Sequence, residues 1–108
     1  MADRIRVVIV EPNENPREEF IENELNVFQD IVGGYIECLR IGNGLMLVCN
    51  DEGKLIGLPK NRRLKTNVYD DVIVGTFFVT KDDGEGDFAS LSTKDIIATN
   101  IMFGLGKE

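Results

Sequence analysis

The residues best suited to binding chemistry lie in one basic stretch, residues 54–65, with the sequence KLIGLPKNRRLK. It holds five of the chain's twelve basic residues and none of its nineteen acidic ones. Gly57 and Pro59 restrict the backbone there, and Asn61 can both donate and accept hydrogen bonds. Arg62 adds a planar fork of donors that suits phosphate or carboxylate. The pattern predicts an anion-binding loop, with a solvated spacer as the alternative.

Aromatic and glycine residues elsewhere complete the predicted ligand site. Stacking of a base on an aromatic ring contributes about 1–3 kcal/mol, and the hydroxyls of Tyr35 and Tyr69 need polar partners. A glycine inside a strand commonly marks a close approach to the backbone, so Gly75 and Thr76 are candidates for the floor of the site. The predicted ligand-binding residues are Gly57, Lys60, Asn61, Arg62, Arg63, Tyr35, Tyr69, Gly75 and Thr76.

Catalysis has few residues to draw on. The chain contains no histidine, which removes Ser-His and Cys-His nucleophile pairs, and two cysteines alone cannot complete a zinc site. Neighbouring carboxylates at 51–52 and 70–71 could serve a metal-dependent or acid–base hydrolase. Adjacent residues of an extended chain point to opposite faces, however. We therefore predict no catalytic residues, no metal and no cofactor, and keep a carboxylate-dependent hydrolase as an alternative.

Length and charge narrow the classes of function. The 108 residues fit one domain, 1–108,. A net charge of −7 disfavours general nucleic-acid binding, because neutralising phosphates supplies most of the affinity there. The longest apolar run, 72–79, is far shorter than the ~20 residues of a spanning helix, so no membrane association is expected. The N-terminal residues lack a cleavage site, which predicts a cytoplasmic protein whose Cys38 and Cys49 are reduced and buried in strands.

Periodicity predicts the elements that position these residues. Residues 4–11 are rich in β-branched side chains and form a predicted strand. Pro16 resembles the first residue of a helix, which leaves two interpretations of the next segment. Residues from Pro16 onward form a helix, or a strand at 17–21 precedes a helix that starts at 23 or 24 and ends at 32. We favour the strand.

Hairpins dominate the middle of the chain. Residues 35–39 predict a strand, and Asn43-Gly44 predicts a tight turn into another strand at 46–49. Residues 72–79 are the most hydrophobic run and predict one continuous strand at the centre of the sheet, because no polar face is left for water. An acidic, glycine-rich segment at 82–87 then predicts a hairpin tip.

A C-terminal helix completes the predicted fold. Ser92 precedes Asp95 by three residues, the spacing of a capping box, and the helix is expected to continue to about Phe103. The order of elements predicts an α+β fold: a single small domain with a mostly antiparallel β-sheet and two helices packed on it.

Four ordered blocks of sequence stand out: VGGYIE at 32–37, CNDEGK at 49–54, GLPKNR at 57–62 and DVIVGTFFV at 71–79. Together they resemble a family of short uncharacterised proteins of phages, prophages and Gram-positive bacteria. The resemblance extends from Arg6 to about Ile97. It implies a phage-linked accessory protein of a domain family without an assigned activity, and it supplies no catalytic residues.

Three hypotheses about function follow. The leading one is a non-enzymatic, homo-oligomeric phage accessory protein in the cytoplasm of a bacterial host. It would bind a phosphate-bearing small ligand and so sequester a nucleotide immune signal. The second is an acidic inhibitor that binds a host defence enzyme, with the tip at 82–87 as its contact surface. The third is a carboxylate-dependent nucleotide hydrolase that uses Asp70 or Asp71.

Overall fold

The computed structural model of the protein describes residues 3–105. Eight strands and two helices lie within this part of the chain. Their order is β1 (Arg4–Val10), β2 (Arg17–Glu22), α1 (Leu25–Val32), β3 (Ile36–Gly42), β4 (Leu45–Asn50), β5 (Lys60–Lys65), β6 (Asp70–Val74), β7 (Phe77–Asp82), β8 (Phe88–Ala89) and α2 (Thr93–Phe103).

An antiparallel sheet, which we call the main sheet, forms the centre of the molecule. Its strands follow the order β2-β1-β7-β4-β3, and the short β8 pairs with β7. Val79 of β7 lies opposite Val8 on one side and Leu47 on the other. The first four residues of β7 are buried, as expected for a central strand covered on both faces. The α+β prediction, with a mostly antiparallel sheet and two helices, is confirmed.

Each face of the main sheet is covered by different elements. Side chains alternate along a strand, so Val7 of β1 packs with Phe28 of α1 on one face. Val8 packs with Phe103 of α2 on the other face. A second sheet, which we call the small sheet, consists of β5 and β6. It packs on the same face of the main sheet as α2, because its Leu64 belongs to the same core cluster. The main sheet is therefore the middle of three layers.

Local signals in the sequence set several of these boundaries. The strand interpretation of residues 17–21 is confirmed by β2, and a helix follows to Val32. Asn43 and Gly44 both have left-handed backbone angles, at φ 56° and 78°, as the tight turn between β3 and β4 requires. Ser92 and Asp95 form the predicted capping box. Within residues 3–105, no helix has the length and apolar character to cross a membrane.

The prediction of one central strand at 72–79 is wrong. The run divides into β6 of the small sheet and β7 of the main sheet. Gly75, at φ 76°, turns the chain between them, and its N–H donates to the Pro59 carbonyl at 2.7 Å. A continuous apolar run fits two short buried strands as well as one long one, because both are hydrophobic throughout. In the sequence, Gly75 was the only sign of the break between β6 and β7.

Two further expectations need correction. The basic stretch is not one loop, because its second half, Lys60–Lys65, is strand β5 and pairs with β6. Cys49 is buried as predicted, but Cys38 is exposed. Cys38 lies on β3, at the edge of the main sheet, and an edge strand has a neighbour on one side only.

Substitution of Gly75 by alanine is expected to destabilise the protein by about 1–2 kcal/mol, the cost of a left-handed backbone for a residue with a Cβ. The new Cβ would also lie 2.7 Å from Leu58 Cδ1. Gly84→Ala is a matched control, because Gly84 has a similar φ of 83° and no atom within 4 Å of the added carbon. Urea unfolding should show the larger loss for Gly75→Ala. Equal losses would contradict the close packing against Leu58.

Candidate functional site

Arg62, the centre of the predicted anion site, is hydrogen-bonded within the protein. Its Nε donates to the Phe103 carbonyl at 2.8 Å, its Nη1 to Asn61 Oδ1 at 2.8 Å, and its Nη2 to the Glu14 carbonyl. Partial burial lowers the pKa of the Arg62 guanidinium. Arg62 thus ties β5 to the end of α2 and to the loop between β1 and β2.

Asn61 also has structural partners for its side chain. Its Nδ2 donates to the carbonyls of Val10 at 2.9 Å and Gly75 at 2.8 Å, while its Oδ1 accepts from Arg62. The pairing of β5 with β6 shifts register between Lys60 and Arg62, and this irregularity places the Asn61 amide between the two sheets. Asn61 therefore connects the small sheet to β1 of the main sheet.

Most of the other basic residues in 54–65 form ion pairs with the first two residues of β6. Arg63 and Lys65 both contact Asp70, at 2.8 and 3.3 Å. Lys54 contacts Asp71 at 2.6 Å. The hydrogen bond from Arg63 lowers the pKa of Asp70, and the one from Lys54 lowers the pKa of Asp71. These carboxylates neutralise much of the positive charge that the sequence concentrates at 54–65.

The remaining predicted residues lie apart from one another. Lys60 is exposed and has no ion pair among residues 3–105, and Gly57 lies in a turn at φ 75°. Gly75 and the following Thr76 form the junction between β6 and β7. Tyr69 packs against the core on the α2 face, whereas Tyr35 is 71% exposed. The structure brings together Asn61, Arg62 and Gly75, but it places the two tyrosines in different cavities.

A cavity of about 220 Å³ lies between the β3–β4 part of the main sheet and the β5–β6 hairpin, and we call it the inter-sheet cavity. Apolar side chains from both sheets form its inner surface, and charged residues surround it. The lining residues are Glu37, Leu39, Cys49, Asn50, Asp51, Glu52, Gly53, Lys54, Leu55, Leu64, Tyr69, Asp71, Val72, Ile73 and Val74.

The charges around the inter-sheet cavity are predominantly negative. Four carboxylates line it, and Lys54 is its single basic residue. Lys54 already pairs with Asp71, which leaves Glu37, Asp51 and Glu52 without a basic partner in the lining. Burial raises the pKa of the Cys49 thiol to about 12, and the nearby Glu37 carboxylate contributes to the shift. The cavity therefore favours a positively charged guest.

The carboxylates do not form a metal site. Within residues 3–105, no group of three or more His, Cys, Asp or Glu side chains lies close enough to hold a metal ion. An apolar interior with charges at its rim suits instead an organic group that has a hydrophobic body and a cationic end.

The turn after β4 positions the acidic rim. Asn50, only 7% exposed, donates to the Val32 carbonyl at 3.1 Å and accepts from the Glu52 N–H at 2.8 Å. This fixes the chain where Asp51 and Glu52 leave the sheet. Gly53 follows, where a Cβ would lie 2.7 Å from Val74 Cγ2. The turn can therefore pack closely against β6.

Sequence reasoning missed most of this cavity. The sequence pattern presents Asp51 and Glu52 only as a possible catalytic pair, and it gives Glu37 no role. The available signal was the pairing of β3 with β4 across the Asn43-Gly44 turn. Its register sets Glu37 opposite Cys49, which precedes Asp51 by two residues in the chain.

A second cavity, also about 220 Å³, lies on the other side of the turn at 51–57 that follows β4. It shares Asn50 and Glu52 with the inter-sheet cavity. Its lining residues are Gln29, Gly33, Gly34, Tyr35, Asn50, Glu52 and Ile56. Leu55 and Ile56 are exposed on the turn that separates the two cavities.

Comparison with known proteins places the chain in a family. No curated protein and no solved structure matches it. The family DUF3846, described as a domain of unknown function, matches residues 5–103. The matched region extends from the second residue of β1 to the last residue of α2, so it includes both sheets and the inter-sheet cavity. The chain belongs to the DUF3846 family of domains of unknown function.

Proposed function

We propose that the protein is a non-enzymatic binding protein whose inter-sheet cavity takes up a positively charged side chain of a partner protein. The observation that carries the proposal is the set of three rim carboxylates, Glu37, Asp51 and Glu52, around an apolar interior without a free basic residue in its lining. It develops the hypothesis of an acidic protein that inhibits a host enzyme, with the cavity rather than the 82–87 tip as the contact site.

Size and chemistry both support a side chain as the guest. Pockets for drug-sized ligands measure about 300–1,000 Å³, whereas the inter-sheet cavity is about 220 Å³. Lysine and arginine bury their apolar stems while their charged ends stay at the surface. The partly exposed Leu39, Tyr69 and Val72 of the lining would contact the stem, and the rim carboxylates would accept hydrogen bonds from the charged end. Hydrogen bonds to charged groups contribute about 1.5–3 kcal/mol each.

The phosphate-ligand hypothesis stays a prediction. Of its basic residues, Arg62 donates to protein carbonyls and Arg63 pairs with Asp70, so Lys60 would be the main contact for phosphate. The hydrolase hypothesis stays a prediction as well. Asp70 and Asp71 are both engaged in ion pairs, which a metal ion or substrate would have to replace.

The resemblance supplies a setting for the proposal. In a phage-linked protein that acts in the bacterial cytoplasm, the partner would be a host defence protein with an exposed lysine or arginine. The protein would cover that residue and the surface around it. An anti-defence role needs tight binding without turnover, which agrees with a cavity that offers contacts and no catalytic set.

Replacement of Lys54 by methionine is expected to strengthen binding of a cationic guest about two- to fivefold. Lys54 holds Asp71 in an exposed ion pair, and such pairs contribute at most about 1 kcal/mol. Without Lys54, Asp71 is available to the guest. The measurement is calorimetric titration with a blocked glycine- and serine-rich peptide that contains a single arginine.

Lys60→Met is the matched control for this titration. It removes the same charge from an exposed residue that does not line the cavity. An equal gain in both variants would mean that overall charge, and not the inter-sheet cavity, governs binding, and the proposed site would be wrong.

A further inference from the structure

α2 is apolar both on the side that packs against the main sheet and on the side that faces solvent. Ile96 and Phe103 are buried against the main sheet, while Ile97, Ile101 and Met102 are exposed. A helix with apolar residues on all sides is normally covered on all sides. We call Ile97, Ala98, Ile101, Met102 and Leu105 the α2 surface; its four large side chains are between 42% and 59% exposed.

Phe20 of β2 extends this apolar area. It lies opposite Arg6 in the pairing of β1 with β2, and Arg6 Nη1 donates to Thr93 Oγ1 of α2 at 3.3 Å. Phe20 therefore projects from the α2 face of the sheet, next to the helix. Its side chain is also exposed, at 56%.

The charges around the α2 surface indicate a second copy of the chain as its partner. The chain carries a net charge of −7, so two copies repel each other except where acidic groups are few or are paired with basic ones. Asp95 points toward Lys81 and is 12% exposed. Lys94 is the only charged side chain of α2 left at the surface. Beside Phe20, Glu18 pairs with Arg6 and Glu22 lies opposite Arg4. Because each acidic group near the surface has a basic neighbour, two acidic molecules can approach here with little repulsion.

We propose that two copies of the protein associate through the α2 surface, with their α2 helices antiparallel about a twofold axis. A twofold contact pairs each residue with its counterpart reciprocally, so Ile97 of one copy packs against Ile101 of the other. Lys94, three residues before Ile97, then lies level with Gly104 of the second copy, three residues after Ile101.

Lys94 sets the orientation of the two helices. The last turn of α2 has no basic residue of its own, and Arg62 of β5 bonds one of its carbonyls, that of Phe103. The other carbonyls at the C-terminal end of a helix also favour positive charge. An antiparallel pair brings Lys94 of each copy to this end of the other helix. A parallel pair would place the two Lys94 side chains together, where they would repel.

The dimer leaves the inter-sheet cavity open. α2 packs over β1, whereas the cavity borders β3, and β7 and β4 separate these strands. The proposed dimer is thus independent of the proposed binding function. One helix face and one neighbouring side chain form a small interface, and weak encounters lie at the small end of interface sizes, so we expect dissociation on the order of micromolar concentrations.

Sedimentation equilibrium of the full chain, from low to high micromolar concentration, tests the dimer. We expect a reversible monomer–dimer equilibrium for the wild type and a monomer for Ile101→Glu. Lys94→Glu, which places a negative charge at the partner's helix end, should weaken the dimer about tenfold. Leu55→Glu, at an 86% exposed residue outside the α2 surface, should dimerise as the wild type does.

Circular dichroism confirms that each variant is folded before it is compared. A wild-type protein that stays monomeric at every concentration, or forms open chains larger than a dimer, would overturn the proposal. Dissociation of the dimer by Leu55→Glu to the same extent as by Ile101→Glu would overturn it as well. Unchanged or tighter association of Lys94→Glu would overturn the antiparallel orientation.

Discussion

Replacement of Asn61 by alanine is expected to lower the free energy of unfolding by about 2–4 kcal/mol. The carbonyls of Val10 and Gly75 would lose their donor, and Arg62 would lose an acceptor. An unsatisfied buried polar group costs about 1–3 kcal/mol, and three groups are affected here. The loss is expected without any ligand, because Asn61 joins the small sheet to the main sheet.

Urea unfolding at neutral pH measures this effect. Asn67→Ala is the matched control, because Asn67 is exposed and its side chain makes no hydrogen bond within residues 3–105. The control should remain within about 0.5 kcal/mol of the wild type, as is usual for surface substitutions. A similarly small change for Asn61→Ala would show that the sheets are held together without it, and the structural role would have to be abandoned.

The double substitution Glu37→Gln with Glu52→Gln is expected to weaken binding of the single-arginine peptide about tenfold or more. The change keeps the shape of the rim and removes two of its charges. Because both side chains are exposed, solvent reduces the contribution of each below the 1.5–3 kcal/mol of a fully formed charged hydrogen bond. Calorimetric titration of folded variants gives the ratio of dissociation constants directly.

A second double variant, Glu22→Gln with Glu85→Gln, provides the control. It removes the same number of charges from exposed positions on β2 and on the 82–87 tip, away from the cavity lining. Its dissociation constant should stay within about twofold of the wild type, since distant exposed charges are screened by salt. Equal weakening in both double variants would point to the whole acidic surface, including the tip, as the binding region.

The elements that sequence patterns predicted correctly have local causes. The Asn43-Gly44 turn needs left-handed backbone angles at two positions, and few residue pairs provide them. The capping box of Ser92 and Asp95 satisfies backbone donors within four residues,. Such signals depend only on near neighbours in the chain. They set the hairpin, the last helix and the α+β class.

Local sequence patterns could not predict the role of Arg62, because its hydrogen-bond partners are far from it along the chain. Arg62 lies 41 residues before Phe103 and 48 after Glu14. Composition shows that the stretch is basic, but it does not show which carbonyls and carboxylates the fold brings to it. A basic run therefore resembles a ligand site, although much of its charge is satisfied by the protein itself.

The inter-sheet cavity could not be predicted for a related reason. The cavity requires the break at Gly75. Because of the break, β6 belongs to a separate sheet, and the cavity lies between that sheet and strands β3 and β4. The hydrophobic run at 72–79 gave no periodicity from which the break could be inferred. Once the break is known, the positions of Glu37 and Cys49 follow from the register of one hairpin.

The most direct test of the proposed binding site is an NMR titration of the isotope-labelled protein, first with the single-arginine peptide and then with a nucleoside triphosphate. We predict saturable shifts of the backbone amide signals of Leu39, Cys49 and Ile73 with the peptide, and no change of these signals with the nucleotide. The opposite result would be that the peptide leaves the signals of the cavity residues unchanged, while the nucleotide shifts the signals of Gly57 and Lys60. It would contradict the cationic-guest proposal and support the phosphate ligand.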